Sequence, residues 1–337
     1  MQRREFVTLV GGAAAAWPLA ADAQKPAMPV IGVLESGSAT STTSLSAEFH
    51  TGLKESGFVQ GQNVTIEYRR AEAQYDRLPA FAAELVGRQV AVIVASGATV
   101  SPLAAQAATK IIPIVFLMGT DPVQTGLVAS LSRPGGNITG VTTFGSEILS
   151  KQLEMLHELV PKARAIAMLV NPKNPTHLGG KARWQPFADA IRIPIESVSA
   201  STESEFESAI ASLAEKQIEA LNVVPDTLFG SYRESLIAVL ARHAMPAMFP
   251  IREAAMAGGL ISYGANFADA FHQLGMYVGR ILKGEKPADL PVLLPTKFDL
   301  VINLKTAKPT NFQSPQLRLR YSTRGGRAKG HVREDFH

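Results

Sequence analysis

The chain is 337 residues long, with 46% hydrophobic and 18% charged residues, which suits two modest α/β domains and excludes a disordered or fibrous protein. Its formal charge of +4 is concentrated: six basic and two acidic residues between Pro309 and His337 supply all of it, and the neutral remainder argues against a dedicated nucleic-acid surface. The absence of cysteine excludes disulfides, thiolate metal sites, cysteine nucleophiles and a lipid-anchoring cysteine.

Arg3 and Arg4 precede a small-residue apolar stretch from Phe6 to Ala20, which leads into Ala21-Asp22-Ala23-Gln24. A basic start, a short apolar region and an A-x-A site predict a signal peptide over residues 1–23, removed after Ala23. The stretch is short for a membrane span and lacks a stop-transfer flank. The paired arginines resemble a twin-arginine signal, while Glu5 leaves ordinary Sec export open. The expected location is the periplasm.

Strands and helices then alternate. Val30 to Leu34 reads as a strand, followed by Leu45, Phe49 and Leu53 at helical spacing before Gly57. Val64 to Tyr68 is a second strand, and Leu78, Phe81, Leu85 and Val86 mark a helix over 76–87. Val90 to Ala95 is apolar throughout, as a buried parallel strand should be, and stops at Ser96-Gly97-Ala98-Thr99. A helix over 102–109 leads to the strand Ile114 to Leu117, which ends at Gly119-Thr120-Asp121-Pro122. Arg133 to Asn137 is a turn cluster where the pattern pauses.

The same order then restarts. A helix over 147–159 precedes the strand Ala165 to Val170, ending at Asn171-Pro172, and Ile195 to Val198 forms a weaker strand. Thr202 with Glu205 predicts a capping box opening a helix with Phe206, Ile210 and Leu213. Leu221 to Val224 stops at Pro225-Asp226-Thr227; a helix over 232–244 and the strands Ala247 to Phe249 and Leu260 to Tyr263 follow. Leu274, Val278 and Ile281 form a helical core stripe. Two such series imply an α/β protein with two doubly wound, Rossmann-like lobes.

In open α/β sheets, ligands gather beyond the carboxyl ends of the strands. The strand-end loops carry Ser36, Ser96, Thr99, Thr120, Asp121, Asn171, Asp226 and Tyr263, the candidate ligand-binding residues. Hydroxyls and amides suit a carboxylate or a sugar, an aspartate suits an ammonium, and together they suit an amino acid. Each of these residue types also caps helices and closes turns.

Gly57 to Val64, Thr120 to Val123, Arg133 to Gly140, Gly258 to Gly264 and Thr296 to Asn303 resemble the substrate-binding proteins of ABC transporters related to tryptophan- and tyrosine-type binding proteins, over about Pro29 to Lys308. The resemblance implies a type I periplasmic binding protein, with three crossovers between lobes and a ligand cleft, and puts Ser96, Thr99, Asp121, Asn171, Asp226 and Tyr263 at that cleft. The lobes are expected at 28–142 plus 266–294 and at 143–265 plus 295–308. The implied partners are a small-molecule ligand, such as an amino acid, and an ABC permease through which alone the protein meets the membrane. A monomer is expected, with no cofactor, metal or nucleic acid. Two departures from the family pattern stand out. Residues 176–194 look shortened where a long helix is usual, and residues 309–337 form an atypical basic tail that a frameshifted or disordered end explains.

Enzyme motifs are missing: no G-x-G-x-x-G follows the first strand, and there is no Walker loop, nucleophile elbow or H-E-x-x-H. A Rossmann-type enzyme and a ligand sensor of the same fold are the alternatives. Glu35 to Ser38 is a weak phosphate cradle for the first, and the second lacks a signalling domain.

Overall fold

The computed structural model describes residues 28–143, 146–178 and 180–307. The signal peptide and basic tail expected from the sequence lie outside the described residues.

The first sheet is built from β1 (Val30–Glu35), β2 (Thr65–Arg70), β3 (Val92–Ser96), β4 (Ile114–Met118) and β5 (Ile138–Thr142), in the order β2-β1-β3-β4-β5, all parallel. Helices α1 (Ala39–Glu55), α2 (Leu78–Gly87) and α3 (Val100–Ala108) connect its early strands. The second sheet contains β6 (Ile166–Val170), β7 (Ile195–Ser199), β8 (Ala220–Val223), β9 (Ala247–Phe249), β10 (Ile261–Ala265) and β11 (Phe298–Ile302), in the order β11-β10-β9-β8-β6-β7. Only β11 runs antiparallel among its pairings. Around it lie α4 (Ser146–Leu159), α5 (Gly180–Ile191), α6 (Phe206–Glu215), α7 (Thr227–Ser231), α8 (Arg233–Arg242) and α9 (Arg252–Met256). Then α10 (Phe267–Leu282) returns to the first sheet, and α11 (Leu304–Ala307) follows β11.

Each sheet is covered on both faces, which is why its central strands, such as β3, β4 and β6, are largely apolar. On one face of the first sheet, Val33, Val94 and Val115 pack with Phe49 and Leu53 of α1 and Leu274 and Val278 of α10. On the other, Leu34, Ile93 and Phe116 meet Leu78, Leu85 and Ala105. The second sheet repeats this arrangement, with Leu169 and Leu221 against Phe206, Ile210 and Leu236, and Met168 and Met248 against Leu153, Leu156 and Trp184.

The chain passes between the sheets three times: after β5, between β10 and α10, and between Leu293 and β11. The third passage starts where the Leu293 amide donates to Gly140 and its carbonyl accepts from Thr142, extending the edge of the first sheet. The second and third passages are tied together, since the Asn266 amide donates to the Lys297 carbonyl at 2.9 Å and Asn266 Nδ2 donates to Asp299 at 3.0 Å.

Some local expectations change. β5 follows directly on the turn cluster at 133–137, where threonine and glycine dilute its apolar signal and pairing with β4 supplies the burial. Within residues 176–194, expected to be shortened where a long helix is usual, Gly180–Ile191 forms a helix with Pro186 inside it. The capping box shifts by one residue: Glu205 accepts from the amide of Ser201 at 2.7 Å, and Thr202 makes no side-chain cap.

The α1–α10 crossing depends on glycine. A Cβ on Gly275 would sit 2.2 Å from the Phe49 carbonyl oxygen, and one on Gly52 would sit 2.1 Å from that of His272. Both obstacles are backbone, so neither can swing aside. Gly275→Ala is therefore expected to destabilise the protein by about 2 kcal/mol through forced separation of the helices; an unchanged urea midpoint would contradict this packing.

Candidate functional site

Loops from the carboxyl ends of both sheets face one another and enclose two adjoining cavities. The larger, about 630 Å³, is walled by Thr120, Asp121 and Gln124 from the first sheet's loops and by Gln152, Arg183 and Trp184 from the second lobe. The smaller, about 140 Å³, lies among Thr99, Thr120, Asp226, Phe229, Arg233 and Phe249. Gly119, Thr120, Pro225, Pro250 and Phe267 border both. The larger cavity has the volume of an ordinary small-molecule site.

At the edge of this cleft, Asp226 organises both lobes. Its side chain is fully buried and caps α7, accepting from the Leu228 amide at 2.9 Å. Asn171 Nδ2 donates to its Oδ1 at 3.0 Å and Asn174 Nδ2 to its Oδ2 at 2.8 Å. Tyr75, in the short 3₁₀ turn after β2 of the other lobe, donates its hydroxyl to Oδ1 at 2.7 Å. Burial, and then the charge of Asp226, push the Tyr75 hydroxyl far above the usual tyrosine range, so it remains a donor.

A second bond joins the lobes beside it. Ser36 Oγ lies 2.7 Å from Thr227 Oγ1 and also accepts from the Ala98 amide at 2.7 Å. Gly97, at φ +102°, makes this approach possible, because a Cβ there would fall 2.2 Å from Ser36 Oγ. His177 completes the polar edge. Its Nδ1 accepts from the Asn171 amide at 3.0 Å and Nε2 faces the Pro225 carbonyl at 3.2 Å, so the neutral ring carries its proton on Nε2. Burial lowers its pKa, outweighing the neighbouring Asp226, which acts in the opposite direction.

Of the eight residues singled out from sequence, Thr99, Thr120, Asp121 and Asp226 line the cavities. The Thr99 and Thr120 hydroxyls are 2.8 Å apart, and Asp121 Oδ1 accepts from the Val123 and Gln124 amides, closing its own loop. Ser36 and Asn171 stand one bond behind, holding Thr227 and Asp226. Ser96 is buried beside Glu35, whose carboxylate pairs with Arg70 at 2.8 Å and whose pKa burial raises. Tyr263 stacks on Phe298 with ring centres 6.2 Å apart and lines neither cavity itself, but its carbonyl accepts from Gln152 of the larger cavity's wall at 2.6 Å. Sequence reasoning missed Tyr75, Arg183, Trp184, Phe229, Arg233 and Phe267. Most of these lie on helices, where an arginine reads as solvated and an aromatic as core. Among the described residues, no cluster of acidic and histidine side chains could hold a metal, and no helix is long and apolar enough to cross a membrane.

The two edge residues lead to separate expectations. Asp226→Ala strands three side-chain donors and an amide, and should destabilise the fold by about 3 kcal/mol, read as a lowered melting temperature. His177 takes up a proton less readily when folded than at its ordinary pKa of 6.5, so its contribution is complete above that pH and is lost as pH falls below it. Urea midpoints should therefore fall less steeply with acidification in His177→Gln than in the parent; identical slopes would contradict a buried neutral imidazole.

Comparisons with known proteins place this geometry. The pattern of the ABC transporter substrate binding protein family matches residues 30–323, running past Lys308 into the basic tail. The chain is 29% identical over 265 residues to a tyrosine-binding protein of Clostridioides difficile, covering 79% of this chain and 76% of that one. A conserved domain protein of Vibrio cholerae shares the fold with a TM-score of 0.79 and 26% identity, over 90% of this chain and 99% of the other. An ABC domain from Streptococcus pneumoniae, solved with L-Trp, has a TM-score of 0.78 at 24% identity, with the same coverage. With its two mostly parallel sheets and the cleft between them, the chain has the fold of a type I periplasmic binding protein. The chain belongs to the ABC transporter substrate binding protein family, and its role is to bind a small-molecule solute for a transporter.

Proposed function

We propose that the protein is exported to the periplasm, captures an amino acid or related small organic solute by closing its two lobes, and presents the closed form to an ABC permease. Residues 1–23 act as the export signal, by the twin-arginine or the Sec route, and the mature chain works as a monomer without a cofactor. The moving bodies are residues 28–142 plus 266–294 and residues 143–265 plus 295–308. Of the residues read from sequence, Thr99, Thr120 and Asp121 meet the solute, Asp226 borders it while holding the lobes, and Ser36 and Asn171 fix these from behind.

One observation carries this reading: the cavities are walled by strand-end loops of both sheets, so a ligand there touches both lobes at once. Such a ligand favours the closed arrangement by its differential contacts, and no chemical step is needed. The amino-acid class is supported by the relative named for tyrosine and by the mix of hydroxyls, amides and aromatic rings around the cavities.

A thermal-shift screen of the chain from Gln24 onward against amino acids, organic acids, sugars and nucleosides tests the function. A solute that binds only the native state must raise the melting temperature, and a well-folded protein unmoved by every class would contradict solute capture. Tyr75→Phe probes closure. Removing the hydroxyl that donates to Asp226 should weaken ligand binding by about 5- to 30-fold, the loss of about 1 to 2 kcal/mol of closure energy, with little change in melting temperature. Unchanged affinity in calorimetry would separate this bond from closure.

A further inference from the structure

The smaller cavity is bordered by a cation that, among the described residues, no ion pair holds. Arg233, the first residue of α8, borders it. Its Nε is buried without a hydrogen-bond partner, and Nη1 donates only to the Gly230 carbonyl at 3.3 Å. Among the described residues, no carboxylate forms an ion pair with it. Asp226 borders the same cavity, but Tyr75, Asn171, Asn174 and the Leu228 amide occupy its oxygens. Glu253 is the other acid whose charge is felt there; burial raises its pKa, and it makes no ion pair with Arg233.

The remaining walls are mainly apolar, with Leu117, Phe229, Phe249, Phe267 and Phe271 around the Thr99 and Thr120 hydroxyls. A partly desolvated guanidinium with an unused donor is costly unless an anion meets it, and its planar fork matches a carboxylate. No free carboxylate is placed in this cavity to meet an ammonium.

We propose that Arg233 is the anion anchor of the cleft, and that the cargo is a small carboxylate with an apolar body, selected through its acid group rather than through an ammonium. This rests on the solute-binding reading and narrows it. The ring or branched chain lies among the phenylalanines, the threonine hydroxyls add hydrogen bonds, and the guanidinium supplies the missing donor pair. Amino acids remain ligands to the extent that their carboxylate reaches Arg233.

The test uses matched triads by calorimetry on the mature chain. For phenyl, hydroxyphenyl, indole and isobutyl bodies, the propionate-type acid, the amino acid and the corresponding amine are compared. The tightest ligand is expected to carry a carboxylate, and the amine of the same body should bind at least tenfold more weakly. Arg233→Gln should weaken the acid at least tenfold, with Arg233→Lys between it and the parent. If the variants fail to fold, the comparison of acid with amine on the parent protein still decides.

An amine that binds as tightly as its acid, or an Arg233→Gln protein of unchanged affinity, overturns the anchor. So does the absence of binding in every triad. A thermal shift with a sugar or nucleoside would then show that solute binding survives while this ligand class fails. No shift with any class would instead remove the binding reading itself.

Discussion

The fully buried carboxylate of Asp226 fixes the geometry on which the cleft depends. A charge in that position is tolerated only when its lone pairs are used, and the donors come from three directions: the Leu228 amide in the first turn of α7, the asparagines after β6, and Tyr75 from the other lobe. Satisfying one side chain therefore sets the start of α7, the course of the loop at 171–177 and the approach of the two lobes. Ser36 and Thr227 repeat the connection at neighbouring positions with neutral partners. The lobes meet through polar groups, which water can replace on opening, and this suits a joint that must open and close.

Behind this polar edge the chemistry changes. The cavity walls are largely aromatic and aliphatic, interrupted by threonine hydroxyls and by arginines that come from the second lobe, while Asp121 comes from the first. A solute held there exchanges water for apolar walls along its body and keeps polar contacts at its ends, which gives affinity and orientation together. Release to a transporter then requires only that the lobes separate.

Much of the fold was legible because both sheets are buried on both faces, so that β1, β3, β4, β6 and β8 stand out as short apolar runs. β5 was not, because its Thr139 and Gly140 owe their burial to pairing and packing that the local pattern cannot reveal. β11 was quoted only as part of a family motif, since an antiparallel edge strand is neither continuous nor cleanly alternating. At the site, strand-end loops drew attention to Thr99, Thr120, Asp121 and Asp226. The same rule could not distinguish a residue that lines the cavity from one that holds it in place, as with Asn171 and Ser36. Tyr75 and Arg233 were beyond reach for a different reason: what marks them is a bond to the other lobe and, among the described residues, the lack of an ion-pair partner, both properties of the assembled structure.

Ligand binding and lobe closure are proposed to be one event, and the lack of native cysteine allows that to be measured directly. Spin labels at Asp76→Cys and Lys173→Cys, on exposed positions either side of the cleft edge, report the separation of the lobes by double electron–electron resonance. Saturating ligand is predicted to collapse a broad or two-peaked distance distribution onto its shortest component, the arrangement in which Tyr75 reaches Asp226. The same distribution with and without bound ligand would contradict ligand-linked closure of the lobes.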